Sequence, residues 1–336
     1  MRLIAIFLAA AMVASTSAKA ATVTRFATDM PQSLYGLASD ATALYFSGAN
    51  SALRDFGHDP TEGVIGKVSL ANGSVSILYD KTNYATASGH ITPMQLVTDG
   101  SGHLYWADPD AGSGTGAGFL SGTTSGGTPT LFFNICCGAG VLPGDGIGLA
   151  LNGGHLYFSD ATGGRVGVDP SGSSATQIGP TRYAPDFNTA QFPQIAVRAS
   201  RIYLADSALV LGADNNGVAL QRDQSAVLAP GVRWISTDGS SGFVDLSVGK
   251  IDHPRGVVAV GKFLYVTGSK TIWKVSATTG KTVIFARDKR FQDLQGITYV
   301  KGVFYVADSQ TVYGTPVDGL ATATSDGPGI IWKVVP

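Results

Sequence analysis

Glutamate is almost missing from this 336-residue chain. Glu62 is the single glutamate among 24 acidic residues, and all the others are aspartate. Glutamate favours helices, whereas aspartate favours turns because its side chain hydrogen-bonds to nearby backbone groups. The 44 glycines supply further turn residues. This composition is typical of a chain built from strands and turns, and it argues against a helical protein.

The chain also lacks a block of basic residues and, after its first 20 residues, a long apolar run. Its 23 lysines and arginines are scattered, and its net charge is −1. Proteins that bind nucleic acid usually carry a concentrated basic patch, so we expect no nucleic-acid partner. A membrane-spanning helix needs about 20 apolar residues. We therefore expect no membrane span in the mature chain.

The first 20 residues have the composition of a secretory signal peptide. Arg2 supplies a positive start, residues 3–13 form an apolar run, and Ala18-Lys19-Ala20 is a small-x-small cleavage site. Such a segment is removed during export. We therefore expect residues 1–20 to be a cleaved signal peptide, residues 21–336 to form a single domain, and the mature protein to be secreted or periplasmic.

A short phrase recurs six times along the rest of the chain. Each copy has an apolar strand, a tight turn and a second strand that contains an apolar residue followed by Tyr. These anchor pairs are Leu44-Tyr45, Leu104-Tyr105, Leu156-Tyr157, Ile202-Tyr203, Leu264-Tyr265 and Phe304-Tyr305. Two more strand-like runs follow most pairs, for example residues 271–275 and 281–286. Strand-rich repeats of this length are typical of β-propellers.

The sequence therefore predicts an all-β, six-bladed β-propeller with four antiparallel strands in each blade. Residues 22–27 have the pattern of a fourth strand and residues 330–334 that of a third strand. We expect these terminal strands to share one blade and to close the ring. The phrase Leu104-Tyr-Trp-Ala-Asp108 resembles the signature of the NHL and YWTD six-bladed propeller superfamily. That resemblance implies the fold but not the function, because the fold hosts hydrolases, lyases, receptors and scaffolds.

The two faces of the predicted ring differ in loop length. The short-loop face carries the turns between first and second strands and between third and fourth strands. The long-loop face carries the second-to-third loops and the crossings between blades. Its insertions are residues 48–62, 207–230 and 309–328, and its long crossings are residues 81–92, 134–146 and 180–192. Since long loops on a rigid scaffold often form sites, we expect a small molecule, glycan or protein to bind there.

The residues that lead the first strands are expected to line the mouth of the central channel on the long-loop face. These candidate ligand-binding residues are Tyr35, Gln95, Asp145, Gln194, Arg255 and Gln295. They offer many hydrogen-bond donors and few titratable pairs, which favours binding over catalysis. Arg255 is the expected anchor, because its guanidinium presents five N–H donors in a fork that suits a carboxylate or phosphate.

An enzyme at the same mouth, either a hydrolase of the lactonase type or a lyase, is the alternative. His90 and His253 lie in crossings on opposite sides of the channel, and with Arg255 they are the candidate catalytic residues. The chain is also distantly similar to the senescence-marker/gluconolactonase family, which implies a divalent cation held by carboxylates and Asn. Here Arg255 stands where that Asn would be, and Asp145 is the single carboxylate of the mouth.

An Asp or Gly ends the second strand of every copy. The residues are Gly48, Asp108, Asp160, Asp206, Gly268 and Asp308. A residue that recurs at one place in each repeat usually has a structural role. We therefore expect these aspartates to form hydrogen bonds in turns and between blades rather than to catalyse.

Cys136 and Cys137 are the only two cysteines, and they are adjacent. In an oxidising compartment two isolated thiols tend to pair. Neighbouring Cα atoms lie about 3.8 Å apart, below the usual disulfide span of about 4.4–6.8 Å, so a bond between them would be strained and easily reduced. The sequence predicts this vicinal disulfide, and it leaves open whether the bond forms a ligand platform, a redox switch or a plain loop staple.

Overall fold

The described part of the chain consists of strands and turns. The computed structural model describes residues 21–49, 63–84, 93–108, 118–134, 146–160, 166–169, 176–178, 194–207, 209–213, 219–223, 229–313, 320–325 and 327–336. Within these ranges no helix long and apolar enough to cross a membrane occurs. Residues 1–20 lie outside them, so the signal peptide stays a prediction.

The strands follow one another along the chain at short intervals. The first fourteen are β1 (Thr22–Met30), β2 (Ser33–Ser39), β3 (Ala43–Ala49), β4 (Gly63–Ser69), β5 (Val75–Tyr79), β6 (Leu96–Thr98), β7 (His103–Asp108), β8 (Gly118–Thr123), β9 (Thr130–Asn134), β10 (Gly146–Asn152), β11 (His155–Asp160), β12 (Val166–Asp169), β13 (Thr176–Ile178) and β14 (Ile195–Arg198). The second fourteen are β15 (Arg201–Asp206), β16 (Leu209–Ala213), β17 (Ala219–Asp223), β18 (Gly231–Ser236), β19 (Val244–Val248), β20 (Val257–Val260), β21 (Phe263–Thr267), β22 (Thr271–Ser276), β23 (Thr282–Arg287), β24 (Leu294–Val300), β25 (Val303–Asp308), β26 (Thr311–Tyr313), β27 (Leu320–Ser325) and β28 (Gly329–Val335).

Six four-stranded antiparallel sheets form the blades of a ring. Blades one to three are β2–β5, β6–β9 and β10–β13, and blade five is β20–β23. Blade four contains β14, β15, β18 and β19, while blade six contains β24, β25, β28 and β1. The first strands of the blades, β2, β6, β10, β14, β20 and β24, contact one another in a closed circle. The prediction of an all-β, six-bladed β-propeller is therefore confirmed.

The first and last strands of the described chain lie side by side. β1 pairs antiparallel with β28, with Thr22 opposite Val335 and Ala27 opposite Ile331. Ala27 and Met30 are buried in the cluster between blades six and one. The contribution of this pairing to ring closure and to stability stays a prediction.

The core lies between neighbouring blades. Side chains of a strand alternate between its two faces, so each blade buries one face against each neighbour. Trp106 of blade two is fully buried, and its ring centroid lies 5.1 Å from that of Tyr79 and 5.7 Å from that of Tyr84. Aromatic pairs at such distances stabilise by about 0.5–1.5 kcal/mol beyond the burial of their area. These aromatic contacts thus hold blade two against blade one.

A seventh four-stranded sheet lies outside the six blades. The sequence predicts long loops for the insertions of blades four and six, residues 207–230 and 309–328, but each contains a hairpin, β16–β17 and β26–β27. β17 pairs antiparallel with β27, with Arg222 opposite Leu320. We call it the bridging sheet, because it joins the insertions of the two blades that flank blade five. No local pattern predicts this pairing, which depends on how the ring places the two insertions.

Candidate functional site

The aspartates that end the second strands are engaged within the protein. Asp308 accepts hydrogen bonds from two backbone N–H groups of the preceding crossing and from the indole of Trp332. Burial raises the pKa of the Asp308 carboxyl. Asp108 accepts a hydrogen bond from a tyrosine hydroxyl, and Asp206 pairs with Arg233. These three aspartates are fully buried, so a ligand cannot reach them in the folded protein.

The candidate residues at the channel mouth lie at or just before the starts of the first strands, and their side chains are buried. The described members are Tyr35, Gln95, Gln194, Arg255 and Gln295, and each is at most 9% exposed. Asp145 and His90 lie outside the described residues. A ligand at the mouth would therefore have to displace side chains that already pack inside the ring. Ligand binding by these residues stays a prediction.

Gln194 links three blades. Its Oε1 accepts hydrogen bonds from the backbone N–H groups of Val257 in blade five, at 3.1 Å, and Ile297 in blade six, at 3.2 Å. Its Nε2 donates to the carbonyl oxygen of Ile297, at 3.2 Å. The Gln194 side chain thus extends from blade four and forms hydrogen bonds with backbone groups of blades five and six. It links the three blades non-covalently.

Arg255 forms a buried ion pair with Asp293. Its Nη2 lies 3.2 Å from Oδ1 of Asp293, and the two side chains are 5% and 2% exposed. The other oxygen of Asp293 accepts hydrogen bonds from Gln295, at 2.7 Å, and from the hydroxyl of Ser309, at 2.6 Å. We call these four residues the mouth network. It joins blades five and six. Two of its members, Arg255 and Gln295, are side chains that the sequence assigns to a ligand, whereas Asp293 and Ser309 are not.

His253 lies in the crossing that leads to Arg255. Its Nδ1 is 2.9 Å from the carbonyl oxygen of Ser207, and its Nε2 is 3.4 Å from a carboxylate oxygen of Asp252. Both ring nitrogens therefore have neighbours within the protein. Its φ of 40° lies in the left-handed region, which is uncommon for a residue other than glycine. A catalytic role for His253 stays a prediction.

The described mouth residues do not make up the metal site that the resemblance to gluconolactonases implies. Arg255 presents a cation where that family has Asn, and it pairs with Asp293. Across the described ranges, no group of three or more His, Cys, Asp or Glu side chains is arranged to hold a metal ion. Asp145 lies outside these ranges.

Two cavities differ in their suitability for a ligand. The space inside the channel, between the first strands, has a volume of about 240 Å³. Ligand sites usually measure about 300–1,000 Å³, so this space is small for one. A cavity of about 550 Å³ at blade five falls within the range. Its described lining residues are Asp252, Gly268, Ser269, Lys270, Thr271, Trp273, Arg287, Asp288 and Lys289.

We call this second space the blade-five cavity, and it lies on the long-loop face. Its lining comes from the crossing before blade five, the second-to-third loop, the start of the third strand, and the end of the fourth strand with the two residues after it. That loop is only residues 268–270, whereas the two neighbouring blades carry the insertions that form the bridging sheet. A short loop between long ones leaves a depression. Loop insertions do not mark this cavity, so the sequence does not predict it.

Strand register places the cavity's side chains together. Thr271 and Trp273 are two residues apart on β22 and share one face. Arg287 on β23 lies opposite Thr271, and its Nε donates to the Thr271 hydroxyl at 3.2 Å. Trp273 is half-buried and packs against the core between blades four and five. One side of the blade thus presents a hydroxyl, an indole and a guanidinium.

Gly268 is required by the close approach of two backbone segments beside the cavity. A Cβ at this position would lie 2.7 Å from the carbonyl oxygen of Asp252 and 3.3 Å from Nε1 of Trp273. The first distance is shorter than Cβ atoms tolerate, so a larger residue would push the crossing outward. The Gly268 N–H donates to the Thr271 carbonyl at 2.8 Å and closes the tight turn. The indole N–H, buried near Gly268, has no acceptor among the residues that the structure describes.

Cys136 and Cys137 lie outside the described residues, and their disulfide stays a prediction. In freshly purified exported protein, alkylation without reductant should leave the intact mass unchanged, because both sulfurs are bonded. Alkylation after reduction should add two alkyl groups. Addition of both groups without reductant would show that the disulfide is absent.

Solved six-bladed propellers resemble this chain in structure at low sequence identity. No family model matches the sequence, and no curated protein matches it. A chain in a crystal structure of a nidogen/laminin complex has a TM-score of 0.54 and 15% identity, over 78% of this chain and 83% of that one. A gluconolactonase from Xanthomonas campestris has a TM-score of 0.61 and 11% identity, over 94% and 89% of the two chains. Virginiamycin B lyase from Staphylococcus aureus has a TM-score of 0.54 and 11% identity, over 94% of this chain and 99% of that one.

These likenesses confirm the resemblance to NHL and YWTD propellers for the fold alone. Three different kinds of protein are thus similar in structure: a member of a nidogen/laminin complex, a gluconolactonase and a lyase. Since one fold carries such different functions, the choice between binding and catalysis depends on the side chains of this chain.

Proposed function

We propose that this protein is a secreted or periplasmic binding module that holds a small molecule, glycan or protein on its long-loop face. The observation that supports this most is the mouth network, in which Arg255, Asp293, Gln295 and Ser309 are buried and bound to one another. Groups used in this way stabilise the propeller and are poorly placed to transfer protons. The blade-five cavity, in contrast, surrounds a space of ligand size with polar side chains that reach solvent.

Export is part of the proposal and is supported by residues 1–20. Their charged start, apolar run and small-residue cleavage site are the features of a signal peptide. An oxidising compartment would also let the adjacent cysteines Cys136 and Cys137 pair.

Filling the blade-five cavity should abolish binding. Ser269 lines the cavity, and Ser269→Trp adds a bulky ring there, whereas Thr278→Trp places the same ring in an exposed turn on the short-loop face of the same blade. A panel of small molecules and glycans is screened by melting temperature. A ligand at about 100 times its Kd stabilises the folded state by about 2.7 kcal/mol, which corresponds to a rise in melting temperature of about 4 °C for a domain of this size.

We expect hits to raise the melting temperature of the wild type and of Thr278→Trp, and to leave that of Ser269→Trp unchanged. Equal shifts in all three proteins would place the ligand elsewhere and would contradict the proposed site.

An enzyme of the lactonase or lyase type at the channel mouth is the second candidate, and its support is the likeness in fold to two enzymes. His253 and Arg255 are its described candidates, with His90 outside the described residues. The test is turnover of lactones and esters by the wild type and by His253→Gln. General acid–base groups contribute about 10²–10⁴-fold, so a loss of that size in a folded variant would favour the enzyme. Equal turnover by both proteins would exclude His253 as a catalytic residue.

A further inference from the structure

Three cations surround the blade-five cavity. Lys270 lies in the second-to-third loop, and Arg287 and Lys289 lie at the end of the fourth strand and just after it. All three side chains are exposed. The ladder between β22 and β23 brings them together, because Arg287 lies opposite Thr271, the residue that follows Lys270. Charges of one sign around a concave surface raise the local potential and attract ions of opposite charge.

Neither of the two carboxylates of the lining forms an ion pair with these three cations. Asp288 accepts hydrogen bonds from the side chain of Arg290 at 2.8 and 2.7 Å, and these bonds lower the pKa of Asp288 to about 2. Asp252 lies 3.4 Å from His253. The ion pairs found in the described part of the chain involve other cations than Lys270, Arg287 and Lys289. The positive charge of the rim is thus available to a ligand.

The wall of the cavity adds an apolar surface and neutral hydrogen-bonding groups. Trp273 is half-buried, so part of its ring remains open to the cavity. An indole offers a large, rigid contact area against which the ring of a ligand packs. Ser269 and Thr271 supply hydroxyls at the same place, and Thr271 fixes the guanidinium of Arg287 through its hydrogen bond. The site therefore combines an apolar wall with a charged rim.

We propose that the blade-five cavity binds an organic anion, a small molecule whose carboxylate or phosphate group contacts Arg287, Lys289 and Lys270 while its body packs against Trp273. This inference rests on the proposed binding function and names its ligand class. A guanidinium and two ammonium groups match the oxygens of either anion. The space of about 550 Å³ accommodates a molecule of the size of a sugar acid or a sugar phosphate.

Tryptophan fluorescence measures the binding. Trp106 and Trp332 are fully buried, and the guanidinium of Arg201 covers the ring of Trp234 at 4.0 Å, so the response of Trp273 to a ligand dominates. The Trp273→Phe variant should lose this fluorescence response, which would assign the response to Trp273. The charged probes are galacturonate, for the carboxylate, and glucose 6-phosphate, for the phosphate. Galactose and glucose are the uncharged controls for galacturonate and glucose 6-phosphate. Inorganic phosphate tests whether the anionic group binds without a sugar ring.

We expect at least one charged sugar to bind about tenfold or more tightly than its uncharged control, because hydrogen bonds to charged groups are the stronger ones. Arg287→Gln and Lys289→Gln should each weaken that binding, the first by about tenfold. Lys281→Gln is the matched control, since Lys281 is an exposed cation just before β23, on the short-loop face. It should leave the affinity unchanged. Tighter binding of galacturonate would identify the preferred anionic group as a carboxylate, and tighter binding of glucose 6-phosphate would identify it as a phosphate.

The outcomes separate this inference from the function on which it rests. Equal affinity for neutral and charged sugars that Ser269→Trp abolishes would overturn the anion preference and leave the binding function intact. Unchanged affinity of both charged probes for Arg287→Gln and Lys289→Gln would also overturn the inference. So would the absence of binding of both charged sugars at millimolar concentration. Binding that Ser269→Trp does not affect would overturn the inference and the proposed site together.

Discussion

Arg255→Ala should lower the free energy of unfolding by about 3–5 kcal/mol, because the change leaves a buried carboxylate without its cation. The pair of Arg255 and Asp293 is almost fully enclosed, with side chains 5% and 2% exposed. Two further hydrogen bonds hold Asp293 in place, so the carboxylate cannot turn to solvent. Chemical denaturation of the mature protein measures the loss. Lys281→Ala, at an exposed cation, is the control and should change little.

A second substitution tests the origin of this loss. Adding Asp293→Asn to Arg255→Ala removes the buried negative charge that Arg255 no longer balances, and the double variant should regain part of the lost stability. The sequence instead predicts Arg255 as a ligand anchor, in which case Arg255→Ala would weaken binding and leave the denaturation midpoint unchanged. An unchanged midpoint would contradict the structural role of the mouth network.

Deleting residues 21–30 from the mature protein should lower its stability by at least about 3 kcal/mol. Burying a methionine fully stabilises by about 1.5–3 kcal/mol, and Met30 is 3% exposed in the cluster between blades six and one. Each backbone hydrogen bond to β28 adds about 0.5–1.5 kcal/mol. The deletion would also expose the edge of β28, an apolar strand that ends the chain. A lower melting temperature and a greater tendency to aggregate are expected.

A peptide of residues 21–30 added to the truncated protein provides the control. It should restore part of the melting temperature, because it can pair with β28 in the register of the intact chain. A peptide of the same composition in scrambled order should not. A truncated protein that melts at the temperature of the full mature chain would show that the terminal strand does not hold the ring closed.

The blades could be predicted from the sequence because their determinants are local. An anchor pair such as Leu104-Tyr105 lies within one hairpin, and the alternation of apolar residues that marks a strand spans only a few positions. Repetition of that pattern six times then indicates the ring. The two faces followed from loop lengths alone. Strands, blades and faces therefore need no knowledge of contacts between distant residues.

The partners of the site residues could not be predicted in the same way. The sequence places Arg255 at the channel mouth, but the selection of Asp293 as its partner depends on how blades five and six meet. The bridging sheet pairs Leu220 with Thr322, residues from different blades whose register is set by the ring. The blade-five cavity arises because residues 268–270 form a short loop between long ones. A short loop carries no sequence motif of its own, so composition and spacing do not indicate the cavity that it leaves.

A crystal structure of the mature protein with the tighter of the two charged sugars would test the central claim most directly. That claim is that the ligand site lies at blade five on the long-loop face, and that the channel mouth is a structural network. We predict electron density for the sugar against the ring of Trp273, with its anionic group in hydrogen-bond contact with Arg287 or Lys289 and with the pair of Arg255 and Asp293 intact. Density for the sugar in the channel mouth, with that pair broken, would contradict it.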